Sequence, residues 1–364
     1  MITNETILDF QAEELKLLNI PFEKCLFFDI ETTGLSWKNS YIYLLGTVYY
    51  DGLSWKKILW FSQHPSDEKE ILSKFSQLLY EKKYVIHFNG KTFDVPYLMH
   101  KYNFYQMEQS WDDIIQIDLY QKVLPFKKML HLEHVKQKDL ERLIGLYRED
   151  PYSGKELIAF YKEYLCSGDK KLEEMLLLHN SEDIDGMLAL LPLVCMLQIF
   201  QGEFPTYLAS AIQTEITEHQ VTLRGSWNTS FPLDLQLDTE FYQITCTADF
   251  FTITIPIYQG TLKYFFTDYK NYYYLKYEDE AIHKSIGAYV DKEYRENAKA
   301  CNCYKKVTGS FLPQFTTLYE PVFLENYKDT FSRFEIKEDF IMNQEELKVY
   351  ASHLFQMCPK LSSN

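Results

Sequence analysis

A short apolar run, Cys25-Leu26-Phe27-Phe28, leads straight into Asp29-Ile30-Glu31. An apolar stretch of this length predicts a buried strand. Alternate side chains of a strand share a face, so Asp29 and Glu31 project together. Two carboxylates side by side at a strand end repel each other. The pair becomes favourable when divalent cations bridge it. Thr32-Thr33-Gly34-Leu35 follow and predict a turn. The chain must therefore build a sheet that carries a charged site at one strand tip.

The neighbouring segments supply that sheet. Residues 41–50 and 53–62 are aromatic and β-branched, with Asp51-Gly52 between them as a hairpin signal. Residues 67–82 place Ile71, Leu72, Phe75, Leu78 and Leu79 at helical spacing. Residues 84–88 return to strand, Asn89-Gly90 marks a turn, and a helix is expected over 92–102. A short strand fits 114–119, and helices fit 139–146, 155–165 and 171–197. The order predicts an α/β fold, a mixed sheet flanked by helices with an antiparallel hairpin at one edge. After about residue 205 the texture changes. Strands are expected at 241–248, 250–258, 262–267 and 272–277, and helices at 278–300 and 344–357. We place a domain boundary there, with residues 1–205 in the α/β domain. Residues 206–364 then form a second, α+β C-terminal domain centred on a meander.

Charge narrows the function. The chain has 37 Lys plus Arg against 52 Asp plus Glu, a net charge of -15. Duplex binders usually present a basic surface. Nucleic-acid contact here must be local or carried partly by bound cations. Seven cysteines are an odd, scattered number, and residues 1–20 are charged and amphipathic. This predicts reduced thiols in a cytoplasmic protein. No run is read as approaching the ~18 apolar residues of a membrane span.

Two further segments carry acidic groups. In Phe88-Asn89-Gly90-Lys91-Thr92-Phe93-Asp94, a strand delivers the chain to a turn and Asp94 opens a helix, beside the positive end of its dipole. Alone, Asp94 reads more readily as a capping residue than as a site residue. In Leu178-His179-Asn180-Ser181-Glu182-Asp183-Ile184, His179 and Asp183 are four apart and share a helix face. Alone, that segment reads as a polar helix face.

Taken in order, a strand Asp-x-Glu, an Asp at a turn into a helix, and a helical Asp preceded by an imidazole resemble the DEDD (DnaQ-like) 3′–5′ exonuclease superfamily, which has a ribonuclease H-like fold. Asp29-Ile30-Glu31-Thr32-Thr33-Gly34-Leu35 is similar to that family's opening motif. Residues 88–98 with 179–184 look most like the YprB-type branch of nucleases, as do 136–146, Arg148-Glu149-Asp150 and Gly154. The resemblance covers roughly residues 24–198. One position departs from it. The superfamily carries Tyr four residues before its last Asp, or His five before it, whereas His179 here is four before Asp183. Asp185 lies two residues further on and points about 200° away on a helix.

The resemblance implies two-metal phosphodiester hydrolysis. Asp29, Glu31, Asp94 and Asp183 would hold two Mg²⁺ or Mn²⁺ ions about 3.5–4 Å apart. His179 would orient or deprotonate the attacking water. Thr32, Thr33, Gly34 and Leu35 would lie against the terminal nucleotide of single-stranded DNA or RNA. Asn89 would hydrogen-bond substrate and Phe93 would stack on a base, although Phe93 reads equally as core. Two ions add about +4 where phosphate binds, which offsets the net acidity. Residues 122–142, with Lys122, Lys127, Lys128, Lys136, Lys138 and Arg142, are locally basic, as are 283–306. The tyrosines at 264–277 read as sheet filling more readily than as a stacking platform. Two other functions remain open: a catalytically weak nucleic-acid-binding scaffold and a ribonuclease H-like endonuclease.

Overall fold

The apolar run and its two carboxylates lie on the second strand of a six-stranded sheet. Its strands are β1 (Ile2–Leu8), β2 (Cys25–Thr32), β3 (Ile42–Tyr50), β4 (Trp55–Phe61), β5 (Tyr84–His87) and β6 (Ile115–Asp118), in spatial order β1-β4-β3-β2-β5-β6. β2 pairs antiparallel with β3 and parallel with β5, and β5 pairs parallel with β6. This is the mixed sheet with an antiparallel hairpin that the sequence predicts. It comes from a computed structural model that describes residues 1–108 and 111–361. The helices of this part are α1 (Glu13–Leu17), α2 (Glu68–Leu79), α3 (Asp94–Phe104), α4 (Leu119–Val123), α5 (Gln137–Leu143), α6 (Gly154–Ser167), α7 (Lys170–Ala189) and α8 (Leu191–Gln198).

Two features of this part differ from expectation. β1 lies in a stretch read as having no strand, and runs antiparallel along β4. It is an edge strand with five exposed central residues, so the alternation that reveals a half-buried strand is absent. The second is an apolar stretch that the sequence reading missed. The helical segment Lys170–Tyr207 contains an 18-residue window apolar enough to cross a membrane, and 72% of that window is buried inside the protein. That is how a core helix looks.

β2 sorts its side chains by face. Leu26, Phe28 and Ile30 enter a core with Ile71, Leu72 and Phe75 of α2 and Val95, Leu98 and Tyr102 of α3. Phe27, Asp29 and Glu31 therefore face the other side, toward α7. A bulge opposite Glu31 and Thr32 shifts the register at Tyr43. Ile42 consequently joins the first core, while Tyr43 and Leu44 join a second one with Leu157, Tyr161 and Tyr164 of α6 and Leu176 of α7. Behind the strand tip, a buried ion pair ties down the loop after Glu31. Lys101 donates to Glu68 at 3.1 Å and to the Ser40 carbonyl at 2.5 Å, and Glu68 accepts from the Ile42 amide at 2.8 Å.

Packing separates the chain into one unit, Met1–Gln198 with Phe231–Leu233, and a second, Ile199–Ser230 with the chain from Asp234 onward. The second unit contains α9 (Phe204–Tyr207) and a five-stranded antiparallel sheet. That sheet is built from β7 (Gln213–Ile216), β8 (Gln220–Ser226), β9 (Leu235–Asp238), β10 (Gln243–Cys246) and β11 (Phe250–Pro256), ordered β7-β8-β11-β10-β9. Phe204, Trp227, Phe251 and Phe355 pack ring against ring. The remainder holds β12 (Tyr258–Phe265), β13 (Tyr272–Leu275), β14 (Glu280–His283), α10 (Lys284–Gly287), β15 (Arg295–Asn297), β16 (Tyr304–Gln314), β17 (Ser332–Glu335), α11 (Glu338–Met342) and α12 (Gln344–Leu361). The helix expected over 278–300 is replaced by β14, one helical turn and β15. β13 recruits both strands as its antiparallel partners, and pairing outweighs local preference. Tyr272 stacks on Phe266 at 4.6 Å, and the Tyr274 hydroxyl donates to Asp279.

Gly46 of β3 is where the sheet meets α7. A Cβ there would lie 2.1 Å from Asn180 Oδ1 and 3.1 Å from Ile184. Gly46→Ala is therefore expected to overpack this contact at a cost of about 1–3 kcal/mol. Urea denaturation should show a lower midpoint with an unchanged slope.

Candidate active site

Three elements deliver the acidic groups. β2 presents Asp29 and Glu31. The turn Asn89-Gly90 brings in Asp94 as the first residue of α3. This turn is held by Asp118, whose carboxylate accepts from the Asn89 amide at 2.8 Å. Asn89 has φ 57°, which Asn tolerates better than most residues. α7 carries His179, Asn180 and Asp183. Asn180 Nδ2 donates to Asp29 Oδ2 at 2.8 Å, and the Tyr43 hydroxyl donates to Glu31 Oε2 at 3.5 Å.

The carboxylates sense one another. Burial raises Asp29 and Glu31 well above the usual carboxylate range, and the charges of Asp183 and Asp94 raise both further. Asp94 is pushed up to about 7, chiefly by burial, although the backbone amides of Asp94 and Ile30 pull the other way. A cation placed among them would offset the repulsion that raises them.

His179 is fixed from behind. Its Nδ1 lies 2.5 Å from Asp150 Oδ2, and its Nε2 lies 3.3 Å from Glu31 Oε1 and 3.2 Å from Asp183 Oδ2. Burial would raise Asp150, but hydrogen bonds from His179, the Tyr152 amide and Lys138 lower it below the usual range. The adjoining residues grip the same helix. Arg148 Nη1 donates to Asp183 Oδ1 at 2.6 Å, and Arg148 Nε donates to Glu141 Oε2 at 2.5 Å. The Glu149 and Asp150 amides donate to Glu182 at 2.8 and 3.1 Å. Gly186 lets Glu141 reach α7, since a Cβ there would lie 1.8 Å from Glu141 Oε1.

The remaining predicted residues lie at the end of β2, in the turn after it and in the turn before α3. Thr32 is buried and its hydroxyl donates to the Gly34 carbonyl at 2.9 Å, and Thr33 Oγ1 accepts from the Tyr41 amide at 3.1 Å. Leu35 is 86% exposed. Asn89 is exposed, and Phe93 packs on Tyr97 at 5.5 Å. Asp185 is elsewhere, paired with Lys57 at 2.7 Å. Lys122, Lys128, Lys136 and Arg142 are exposed, whereas Lys138 is committed to Asp150 at 3.0 Å. Arg148, Asp150, Asn180 and Glu141 were given no role from sequence. Asn180 had a readable signal, since it lies three residues before Asp183 and so shares its helix face. Arg148 and Asp150 lie in a loop, where spacing carries no such information.

The donor set suits divalent cations. Among the described residues, ligand atoms of Glu31, His179 and Asp183 lie within 4.8 Å of one another, with Asp29 beside Glu31 on β2. Hard carboxylate oxygens suit Mg²⁺ and Mn²⁺.

Residues 26–195 match RNase_H_2, a family of the RNase_H superfamily. The first unit thus carries a ribonuclease H-like fold, and all four acidic positions lie inside the matched stretch. Among solved structures, the chain is similar to the family B DNA polymerase from the hyperthermophilic archaeon Pyrobaculum calidifontis. Identity is 14% and the TM-score 0.39, over 69% of this chain and 35% of that one. It is also similar to the zinc-bound E. coli ExoI–ssDNA complex, at 14% identity and a TM-score of 0.30, over 41% of each chain. The chain thus covers little more than a third of the first and two fifths of the second. No curated protein matches it.

The raised Asp94 predicts how metal-free stability depends on pH. The unfolded carboxyl loses its proton near its ordinary value of about 4, and the folded one near 7. The stability that Asp94 contributes as a neutral acid is complete below about pH 4 and is lost as pH rises through 7. Asp94→Asn removes this loss. In thermal scans without metal, the variant should melt above the wild type at about pH 8, with the margin gone by about pH 4.

Proposed function

We propose that this protein is a divalent-metal-dependent nuclease of the DEDD (DnaQ-like) kind, in the YprB-type branch, that removes nucleotides from the 3′ ends of single-stranded DNA or RNA. The observation that carries the reading is the convergence of Asp29, Glu31, Asp94 and Asp183, in which burial and then the charge of Asp183 raise the other three. Such a cluster is costly to keep without cations. Its position inside the RNase_H superfamily match supports the same reading.

Bound Mg²⁺ or Mn²⁺ ions would supply an activated water and neutralise charge on the reacting phosphate. The chain's own residues hold and aim the site. Asn180 steers Asp29, and Arg148 occupies one oxygen of Asp183 so that the other faces Glu31 and His179. The backbone of Thr32, Thr33 and Gly34, with the exposed Leu35, would bed the terminal nucleotide, and Asn89 and Phe93 would meet its neighbours. Exposed Lys122, Lys128, Lys136 and Arg142 would contact the phosphate backbone, a local basic strip on an acidic protein. Residues 206–364 would serve as an accessory domain for substrate or a partner.

The test is a panel of 5′- and 3′-labelled DNA and RNA, single- and double-stranded, linear and circular, with Mg²⁺ or Mn²⁺. Single strands should shorten from the 3′ end, and Asp29→Ala or Asp183→Ala should reduce the rate at least about 1,000-fold, the scale of losing transition-state charge stabilisation. Cleavage of circles would indicate the endonuclease instead. Activity surviving Asp29→Ala would overturn the reading.

A further inference from the structure

The position of His179 matters as much as its identity. A base that takes a proton from a bound water needs that water between itself and the cation ligands. Two consecutive hydrogen bonds of about 2.8 Å would hold the ring about 4.5 Å or more from those oxygens. Instead, His179 Nε2 lies 3.3 Å from Glu31 Oε1 and 3.2 Å from Asp183 Oδ2, which leaves no room for water between them. These spacings match donors that share one ion. With metal–ligand bonds of about 2.0–2.2 Å, neighbouring donors lie about 3.0–3.4 Å apart.

The far side of the ring agrees. Nδ1 lies 2.5 Å from Asp150, whose side chain is 1% exposed and also accepts from Lys138 at 3.0 Å and the Tyr152 amide at 3.0 Å. A carboxylate on the second nitrogen fixes the tautomer and directs the Nε2 lone pair forward, as behind metal-bound histidines. Arg148 holds Asp183 Oδ1 at 2.6 Å, so that Asp183 offers only Oδ2 to the same point. His179 is 7% exposed.

We propose that His179 is itself a metal ligand, which completes with Glu31 and Asp183 a mixed nitrogen–oxygen site selective for a first-row transition ion over Mg²⁺. Imidazole nitrogen suits Co²⁺, Ni²⁺ or Zn²⁺, whereas Mg²⁺ keeps to oxygen. Arg148 and Asp150 are then positioning residues for two ligands one helical turn apart. The inference rests on the reading of this cluster as a metal centre, but not on which polymer is cut.

The test uses the full-length metal-free protein. Calorimetry measures Co²⁺, Mn²⁺ and Mg²⁺ binding, and proton NMR follows the Co²⁺-loaded form. Co²⁺ should bind at least about 10-fold tighter than Mg²⁺, because the site then offers a nitrogen donor that Mg²⁺ disfavours. The Co²⁺ form should show a strongly shifted exchangeable proton from the imidazole N–H facing Asp150. His179→Gln should remove that resonance and weaken Co²⁺ binding at least about 100-fold, while Asp150→Asn weakens it roughly 10- to 100-fold. The wild-type spectrum stands on its own if a variant fails to fold. Absence of the shifted proton, or unchanged Co²⁺ affinity in folded His179→Gln, would overturn the ligand role and leave the nuclease reading intact. Tight Co²⁺ binding with the shifted proton but no nuclease activity would support the ligand role and count against the nuclease. A wild type that binds no divalent ion would overturn both.

Discussion

Burial strips water from Asp29, Glu31 and Asp94, and the charge of Asp183 then bears on each of them. Much of the first unit is arranged to withstand that concentration of acid. β2 is anchored by its apolar face, where Leu26, Phe28 and Ile30 lock into α2 and α3. The cost of holding two carboxylates on the opposite face is thus met by a face that carries no charge at all. The bulge at Tyr43 turns an aromatic residue toward that charged face, where its hydroxyl reaches Glu31 while its ring stacks on Tyr161 at 4.2 Å.

Opposing charge comes from a region that contributes none of the four carboxylates. Arg148 bridges Asp183 and Glu141, and Lys138 bridges Asp150 and the Tyr152 carbonyl. The Arg148 side chain is 6% exposed and Glu141 1%, so removing either would strand a buried charge, at about 3–5 kcal/mol. The loop from 148 to 150 therefore does two things at once. It balances the acid, and it sets the rotamers of His179 and Asp183 before any cation arrives. Preorganisation of this kind lets a site act without rearranging first.

Much of this was legible in the chain. The continuous apolar run of β2, the Asp51 hairpin and the apolar spacing of α2 have short-range causes, and the sheet follows from them. Where long-range pairing decided, the pattern misled. β1 borrows its order from β4, and β14 and β15 exist because β13 needs partners, so local composition pointed elsewhere. The apolar stretch that runs through α8 is interrupted by Pro192, and its burial makes it core.

The sequence by itself determined which side chains share a face. Period two put Asp29 with Glu31, helical spacing put His179 with Asp183 and sent Asp185 away to Lys57, and the Asn89-Gly90 turn put Asp94 at a helix start. Only the tertiary structure decided what stands behind those faces. Asn180 on Asp29, Arg148 on Asp183 and Asp150 on His179 are contacts between segments up to 151 residues apart. Local periodicity encodes direction from the backbone and carries no information about which distant chain will arrive there.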